Sequence, residues 1–393
     1  MNTFIPAKRV SNIEEYYFSK KLKQISQMNS EGMDIINLGI GNPDFPPDES
    51  TIVALIKDIK SLDAHGYQPY SGISGLRKAY SDWYKKYFNV DLNSETEILP
   101  LIGSKEGILH ISLTFLNEGD GVLIPNPGYP TYSSVSRMLG ADIVLYDLDE
   151  NNSWQPNFEQ LEKQDLSNIK LMWVNYPNMP TGARSNKGLF KKLVEFGKKH
   201  NIIICNDNPY SFILNNDYIS LLNTPGAKDI CIELNSLSKS HSMPGWRFGM
   251  LASNSIFINW ILKVKSNVDS GQFRPMQKAA IKALSLGDNW YASINLKYER
   301  RRIIAEKIME TLGCTIDKDQ SGLFLWGKIS NSYKEAESLT EKILNEAKVF
   351  ITPGFIFGDK GKKYIRISLC AKDEILVEAD KRIKKIINKD GKF

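Results

Sequence analysis

Short apolar runs alternate with longer amphipathic segments between about residues 98 and 253, and this alternation is the dominant pattern of the chain. The runs have the length of buried strands, and the segments between them carry apolar residues at helical spacing. Strands that alternate with helices form mostly parallel sheets that are covered on both faces. The pattern predicts an α/β fold with a seven-stranded, mostly parallel sheet flanked by helices. The predicted strands span 98–102, 121–125, 143–148, 170–175, 202–206, 230–235 and 249–253.

The pattern changes after the seventh run. Residues 275–312 have the pattern of one continuous helix, and the segment 13–29 predicts an N-terminal arm and helix. Short strand-like runs return later in the chain with helices between and after them, which predicts a smaller α+β domain. We therefore expect a large domain over 45–275 and a small domain formed by 1–44 and 276–393. The three later runs are 322–326, 349–351 and 363–368.

The composition is that of a globular protein, with 42% hydrophobic and 24% charged residues in a chain of 393. The formal net charge of +5 is spread along the chain. A basic cluster at 381–385 is interrupted by apolar residues, as in a helix with one solvated face, so neither nucleic-acid nor membrane binding is expected. The N-terminus lacks a signal-peptide pattern, and no apolar run is long enough to span a bilayer.

The cysteines and histidines provide a further constraint on the class of protein. The four cysteines show no CxxC spacing, and the four histidines show no pairing typical of metal ligands. This distribution favours a reducing compartment and argues against a zinc site. The sequence therefore predicts a cytoplasmic protein without a metal centre. The cysteines are Cys205, Cys231, Cys314 and Cys370.

Lys239 lies in the run Ser236-Leu237-Ser238-Lys239, and Arg247 follows eight residues later. A lysine forms a Schiff base with an aldehyde, while serine hydroxyls and a guanidinium bind phosphate. The segment is thus suited to a phosphorylated aldehyde such as pyridoxal phosphate. A solvated loop would also contain these residue types, and the segment alone does not separate the two interpretations.

Asp207 follows an apolar run at what should be the end of a central strand. A buried charge there needs a partner, which the protonated nitrogen of a pyridine ring would supply. Tyr210, three residues later, could donate a hydrogen bond to a ring hydroxyl. The alternative is that Asp207 caps a helix, since Asp-Asn-Pro also makes a good turn.

Three other positions add candidate binding groups. Ser104 and Lys105 open a predicted helix, where free backbone N–H groups favour an anion. Tyr129 lies between turn residues and could stack on a planar ring, or could be a half-buried loop aromatic. Arg366 lies in an apolar strand, where it would bind either a substrate carboxylate or a structural Asp or Glu.

Taken together, these motifs resemble those of the class I/II aminotransferases, which are fold-type I pyridoxal-phosphate enzymes. The resemblance extends from about residue 10 to residue 385, and the motifs occur in the family's order. They lie at 38–45, 67–77, 103–107, 127–132, 175–182, 207–210, 236–239, Arg247 and Arg366.

The resemblance implies a role for each candidate residue that faces the cofactor ring. Lys239 would carry the Schiff base with the cofactor and shuttle a proton, and Asp207 would keep the pyridine nitrogen protonated. Tyr210 would bond the ring hydroxyl, and Tyr129 would stack on the ring.

The resemblance also implies phosphate and substrate contacts. The α-carboxylate of the substrate would lie against Arg366 and the backbone of Gly41. Tyr67 would reach the phosphate bound by the neighbouring subunit, so a homodimer with shared active sites is implied. The cofactor phosphate would be held by Ser104, Lys105 through its backbone, Ser236, Ser238 and Arg247.

One residue departs from the family pattern. Before Pro-Thr-Gly the family has an asparagine that contacts the cofactor hydroxyl and the substrate carboxylate, and this chain has Met179. A thioether is a poor acceptor and no donor. We expect Asn175, or otherwise Asn178, to replace the missing contact.

The expected reaction is ping-pong transfer of an amino group from an L-amino acid to a 2-oxo acid. The alternatives are a C–S β-lyase on the same fold and a cofactor-sensing regulatory module. Asn267 and Ser270 are candidate substrate contacts in a segment that resembles one reaching the partner subunit, and a solvated loop is the alternative. Arg274 does not match the dicarboxylate-binding arginine of aspartate aminotransferases, so strict aspartate specificity is not expected.

Overall fold

The computed structural model of the protein describes residues 4–11, 15 and 17–388. Its strands are β1 Ile36–Asn37, β2 Ile98–Leu101, β3 Gly121–Asn126, β4 Asp142–Asp147, β5 Ile169–Val174, β6 Ile203–Asp207, β7 Cys231–Ser236, β8 Gly249–Ala252, β9 Thr315–Ile316, β10 Phe324–Lys328, β11 Val349–Phe350, β12 Thr352–Pro353 and β13 Tyr364–Ser368. Its α-helices are α1 Lys8–Ser11, α2 Tyr17–Ser30, α3 Glu49–Ile59, α4 Ser74–Phe88, α5 Ser104–Phe115, α6 Pro130–Met138, α7 Phe158–Leu161, α8 Lys187–His200, α9 Leu237–Ser240, α10 Ser255–Lys265, α11 Arg274–Leu284, α12 Asp288–Thr311, α13 Ala336–Lys342 and α14 Asp373–Ile387.

The central sheet has seven strands in the order β2-β8-β7-β6-β5-β3-β4. Only β8 runs antiparallel to its neighbours, β2 and β7, and the other pairs are parallel. The α/β prediction is confirmed, and each predicted strand is present with ends that differ by at most one residue. The inner strands are buried along their length because helices cover both faces, whereas the edge strand β4 is largely exposed.

This topology places polar residues together at one edge of the sheet. The parallel strands β3, β5, β6 and β7 end at Asn126, Val174, Asp207 and Ser236. Ligands of open α/β sheets bind outside such carboxyl ends. The residues that follow these strands are therefore the ones expected to form a binding site.

A second, antiparallel sheet has the order β12-β13-β10-β9, and Arg366 of β13 pairs with Trp326 of β10 and Thr352 of β12. The N-terminal strand β1 pairs in parallel with β11, which joins the start of the chain to its C-terminal part. The predicted domain limits at residues 44/45 and 275/276 stay a prediction.

The helix expected over 275–312 is interrupted, and this prediction is wrong. Helix α11 ends at Leu284, and α12 begins at Asp288 after Gly287. Glycine is unfavourable inside a helix, and an aspartate in the first turn favours a new helix start. Of the predicted N-terminal helix at 13–29, residues 13, 14 and 16 lie outside the described residues, and α2 starts at Tyr17.

None of the helices in the described part of the chain has both the length and the apolar character needed to cross a bilayer.

Arg301 of α12 connects three parts of the chain. Its side chain is buried, and it donates to both carboxylate oxygens of Asp44 at 2.7 and 2.8 Å, to Asp373 at 3.0 Å and to the Leu369 carbonyl at 3.2 Å. Planar guanidinium geometry permits all of these bonds at once. Arg301 therefore holds Asp44, which follows the Gly39–Gly41 segment, close to the start of α14.

We expect Arg301→Ala to lower the free energy of unfolding by about 2–3 kcal/mol, because it removes the ion pair of the partly buried Asp44 carboxylate. The matched control is Arg300→Ala, since Arg300 also faces Asp373, at 3.4 Å, but is mostly exposed. Its effect should be within about 0.5 kcal/mol. Urea titration measures both. Equal effects of the two variants would contradict this role for Arg301.

Candidate active site

A cavity of about 330 Å³ lies at the carboxyl edge of the central sheet and extends to Arg366 of the second sheet. Helix α2 and the Gly39–Gly41 segment complete its wall. Twelve of the residues proposed from the sequence line it, namely Gly41, Ser104, Lys105, Tyr129, Asn175, Asp207, Tyr210, Ser236, Ser238, Lys239, Arg247 and Arg366.

Lys239 is held on the short helix α9 directly after β7. The hydroxyl of Ser236 accepts a hydrogen bond from the Ser238 N–H at 3.2 Å and so caps this helix. The Lys239 ammonium donates to the carbonyl of Gly41. Burial lowers the pKa of Lys239, and the nearby charges of Arg366 and Arg247 lower it further. The site thus shifts this group toward the uncharged amine, which is the nucleophilic form.

Asp207 ends β6 with its carboxylate buried. Its Oδ2 accepts from the Tyr132 hydroxyl at 3.1 Å, and its Oδ1 has no hydrogen-bond partner among the described residues. Burial raises the pKa of Asp207 to about 6, although the hydroxyls of Tyr132 and Ser104 act in the opposite direction. A buried oxygen of this kind needs a donor, and a protonated ring nitrogen fits that need.

Two tyrosines stand beside this carboxylate. Tyr129 contacts Tyr132 edge to face at 5.5 Å, and Tyr132 stacks on Trp173 at 5.0 Å. Tyr129 thus faces the cavity from a rigid aromatic support. The contact of Tyr132 with Asp207 was not predicted. The feature of the sequence that could have indicated this contact is the position of Tyr132, one helical turn after Tyr129.

Tyr210 also lines the cavity, with its ring packed edge to face against Phe324 at 6.2 Å. Burial raises the pKa of the Tyr210 hydroxyl, which the charge of Arg366 partly offsets. The hydroxyl therefore keeps its proton at neutral pH and remains a donor.

The start of α5 lies close to Arg247 and to β8 at one side of the cavity. Gly103 has a φ of 79°, and a side chain on it would lie 2.2 Å from Nη2 of Arg247. A side chain on Gly249 would lie 2.8 Å from the backbone nitrogen of Ser104. Glycine at both positions lets Arg247 and the N–H groups of the helix start converge. The hydroxyls of Ser236 and Ser238, 2.9 Å apart, complete a cradle suited to a phosphate.

Arg366 is buried at the opposite end of the cavity. Its guanidinium carbon lies 3.8 Å from the ring centre of Phe324 and 4.7 Å from that of Phe357. Nη2 donates to the Gly39 carbonyl at 2.9 Å, and Nη1 donates to Sδ of Met179 at 3.1 Å. Packing and hydrogen bonds thus fix the plane of the guanidinium, as bidentate binding of a carboxylate requires.

The asparagines near Met179 are bonded to the protein backbone. Asn175 donates to the carbonyl of Asp207, and its oxygen accepts from the Met179 N–H at 2.7 Å. Asn178 donates to the Asn175 carbonyl, and its oxygen accepts from the hydroxyl of Thr181. Both amides stabilise the turn around Met179. This geometry does not support the expectation that one of them replaces the family's asparagine, which stays a prediction.

Three proposed residues lie away from this cavity. The side chain of Tyr67 is 96% exposed, and Asn267 and Ser270 are exposed as well. Asn267 donates to the Lys263 carbonyl at 2.8 Å. An isolated antiparallel bridge joins Gln68 to Gly271, so the segments that carry these residues are adjacent.

Arg274 lies outside the cavity lining as well. It forms ion pairs with Asp58 at 3.0 Å and Asp63 at 2.7 Å. These carboxylates satisfy the guanidinium, in agreement with the expectation that it does not serve as a dicarboxylate-binding arginine.

The apolar lining around Arg366 was not predicted from the sequence. It comes from α2, the Gly39–Gly41 segment, β10 and the turn 354–357, which are far apart in the chain. No local pattern distinguishes such residues from ordinary core positions. They are Phe18, Ile40, Phe324 and Phe357.

Comparison with known proteins gives matches over nearly the whole chain. The family model for class I and II aminotransferases matches residues 33–382. An LL-diaminopimelate aminotransferase from Dehalococcoides mccartyi is 39% identical over 370 residues, which cover 94% of this chain and 95% of that protein. One from Aquifex aeolicus is 39% identical over 380 residues, with 96% and 98% covered.

Solved structures show the same similarity. Apo-BacF from Bacillus subtilis matches with a TM-score of 0.94 at 34% identity, with 98% of each chain covered. An aromatic aminotransferase from Pyrococcus horikoshii matches with a TM-score of 0.86 at 27% identity, covering 93% of this chain and 99% of that one. The chain therefore belongs to the class I and II aminotransferases, a family of pyridoxal-phosphate-dependent transferases.

Proposed function

We propose that this aminotransferase transfers the amino group of an L-amino acid to a 2-oxo acid with Lys239 as the amine that holds the cofactor and moves the proton. The observation that carries the proposal is the joint position of three groups in one cavity: the Lys239 amine, the carboxylate of Asp207 and the fixed guanidinium of Arg366. Within the described part of the chain, Oδ1 of this carboxylate has no hydrogen-bond partner. The relatives named LL-diaminopimelate aminotransferase support amino-group transfer over the C–S β-lyase alternative.

Each end of the cavity suits a different part of the cofactor and substrate. When bound, pyridoxal phosphate supplies an aldehyde that takes up the amino group and a ring that accepts electrons from the α-carbon. Asp207 would hold a proton on the ring nitrogen, and Tyr129 would cover one ring face. Tyr210 would donate to the ring hydroxyl. The phosphate would be held by Ser104, Lys105, Ser236, Ser238 and Arg247.

Lys239 would then act as general base and general acid at its Nζ. Because burial lowers its pKa, the Lys239 amine would take a proton from the α-carbon and return it to the carbon of the cofactor's aldehyde group. The Gly41 carbonyl, which accepts from this ammonium, fixes the direction of the amine. Arg366 would hold the α-carboxylate bidentately so that the α-proton faces Lys239.

The side chain of the substrate would lie near the aromatic rings around Arg366. Relatives carry the name LL-diaminopimelate aminotransferase, and a solved neighbour is an aromatic aminotransferase. We therefore place LL-diaminopimelate and L-phenylalanine first among the donors to test. Asn267 and Ser270 would contact the substrate from the partner subunit.

We also propose that the protein is a cytoplasmic homodimer with shared active sites. Tyr67 is 96% exposed and does not line the cavity of its own chain, so its ring is available to the site of a second copy. The four cysteines are buried thiols, which suits a reducing compartment.

Replacement of Lys239 tests the proposed role of its amine. Lys239→Ala should abolish the near-visible absorbance of protein-bound cofactor and lower multiple-turnover transamination by at least about 1000-fold. The control is Lys263→Ala, because Lys263 is an exposed lysine. Absorbance spectra with LL-diaminopimelate or L-phenylalanine as donor report the first half-reaction. Turnover by Lys239→Ala at the wild-type rate would refute the assignment.

Asp207 gives a pH dependence with a defined sign. Its pKa of about 6 without cofactor means that it is ionised above pH 6 and protonated below it. Only the carboxylate pairs with a protonated ring nitrogen, so cofactor affinity should fall by up to about tenfold for each pH unit below 6. Equilibrium dialysis between pH 5 and 8 measures this dependence.

Comparison of Asp207→Asn with the wild type separates the effect of the Asp207 carboxylate from that of the cofactor's own titrating groups, because those groups are the same in both experiments. This variant should bind the cofactor more weakly at pH 8 and lack the additional loss below pH 6. Asp217→Asn changes an exposed aspartate and serves as the control. The same pH profile for wild type and Asp207→Asn would contradict the role of Asp207.

Mixing Lys239→Ala with Tyr67→Ala tests the shared site, provided that the activity of each variant alone is measured and subtracted. In a mixed dimer, the Lys239→Ala protomer has an intact Tyr67, and the Tyr67→Ala protomer has an intact Lys239. These two intact residues come together in one of the two sites. Random mixing should restore about a quarter of the wild-type activity, since half of the dimers then contain one complete site. Activity after joint refolding or subunit exchange is the measurement. No recovery, with mixed dimers verified by mass, would rule out a contribution of Tyr67 across the interface.

A further inference from the structure

We propose that Lys265 is a positioning residue for the phosphate-binding turn at Ser104 and Lys105, and that it ties this turn to the neighbouring segment 266–272. The proposal rests on the proposed function, because it assigns a purpose to the turn that would hold the cofactor phosphate. Lys265 itself does not line the cavity.

The environment of Lys265 is unusual for a lysine. Its side chain, at the end of α10, is only 2% exposed. Its ammonium lies 2.5 Å from each carboxylate oxygen of Asp269 and 3.6 Å from Oε1 of Glu106. A buried ammonium costs free energy unless it is paired on several sides, and here two carboxylates from different elements share it.

Glu106 transmits this contact to the turn. It lies in the first turn of α5, two residues after Ser104. Its Oε2 accepts from the N–H of Ile102, on the other side of Gly103, and its Oε1 lies 2.6 Å from Nε2 of His110. The carboxylate therefore spans the turn and holds its two sides together.

The contacts close into a ring. The carbonyl of Ile102, whose N–H is bound by Glu106, accepts from Nη2 of Arg247 at 3.3 Å. The carbonyl of Arg247 in turn accepts from the amide of Gln272 at 2.9 Å. Gln272 belongs to the segment that begins directly after Lys265. The segment is thus connected to the turn at two points, at Asp269 through Lys265 and at Gln272 through Arg247.

Charge balance explains why a lysine stands at this position. Ligand atoms of Glu106, His110 and Asp269 lie within 4.8 Å of one another, a spacing that would also suit a metal ion. The ammonium of Lys265 supplies a positive charge within the same group. Burial raises the pKa of Glu106, but His110 and Lys265 outweigh it and lower the pKa to about 2, so the carboxylate stays ionised and holds the turn.

The decisive test compares pyridoxal phosphate with pyridoxal, which lacks the phosphate. Lys265→Met keeps the volume of the side chain and removes its charge. We expect it to weaken binding of pyridoxal phosphate about tenfold and to leave binding of pyridoxal within about twofold of wild type. Lys263→Met, on an exposed position of the same helix, should change neither affinity.

Asp269→Asn separates positioning from simple charge attraction and provides a second route if Lys265→Met folds poorly. It removes a negative charge, so a purely electrostatic effect on the phosphate would tighten binding. Loss of positioning would weaken binding of pyridoxal phosphate alone, which is the outcome we expect.

Equal weakening of both ligands, or no change for either, would overturn the positioning role. If the wild-type protein bound neither ligand, the proposed function itself would fail, and this outcome is distinct from the others. The melting temperature of the cofactor-free variants reports any general loss of stability. A large fall in melting temperature with an unchanged preference for pyridoxal phosphate would show that the network is only structural.

Discussion

The burial of charged groups at the carboxyl ends of parallel strands is the constraint on which this site depends. The strand order forces Asp207 and the residues after β7 to one edge, where helices and the second sheet exclude water. Burial raises the pKa of Asp207 and lowers that of Lys239, so both groups shift toward their neutral forms. A cofactor with a protonated ring nitrogen would favour the charged form of the carboxylate, while an uncharged Lys239 amine would be ready to attack the cofactor's aldehyde. The same desolvation thus prepares binding and catalysis.

Much of this arrangement follows from the sequence, because strand ends are visible in it. Lys239 and Asp207 each follow an apolar run, and Arg366 stands out as a charge within one. The contact of Tyr132 with Asp207 could not be predicted, because the two residues are 75 positions apart and the contact depends on how α6 packs. The aromatic rings around Arg366 could not be predicted as part of the site, because core residues and cavity-lining residues follow the same hydrophobic pattern in the sequence. The break at 285–287 was missed because apolar periodicity continues across it.

Met179 changes the character of the substrate end. An amide at this position could donate to a carboxylate, whereas the thioether accepts from Nη1 of Arg366. The guanidinium is therefore held by a soft sulfur, a backbone carbonyl and an aromatic face. These three contacts fix the orientation of the Arg366 guanidinium at the substrate end of the cavity. The turn that carries Met179 depends on Asn175 and Asn178, which explains why these amides are bonded to the backbone.

The segment 266–272 connects the two halves of the proposed shared site. Through Asp269 and Gln272 it is connected to the turn that is proposed to hold the phosphate in its own subunit, and through Gly271 it pairs with Gln68, next to Tyr67. If Tyr67 reaches the phosphate of the partner, one segment sets the position of phosphate contacts in both sites of the dimer. A shift of this segment would then change both contacts together. Cofactor binding and subunit association would consequently be coupled by the rigidity of one short segment, without any further contact between the two sites.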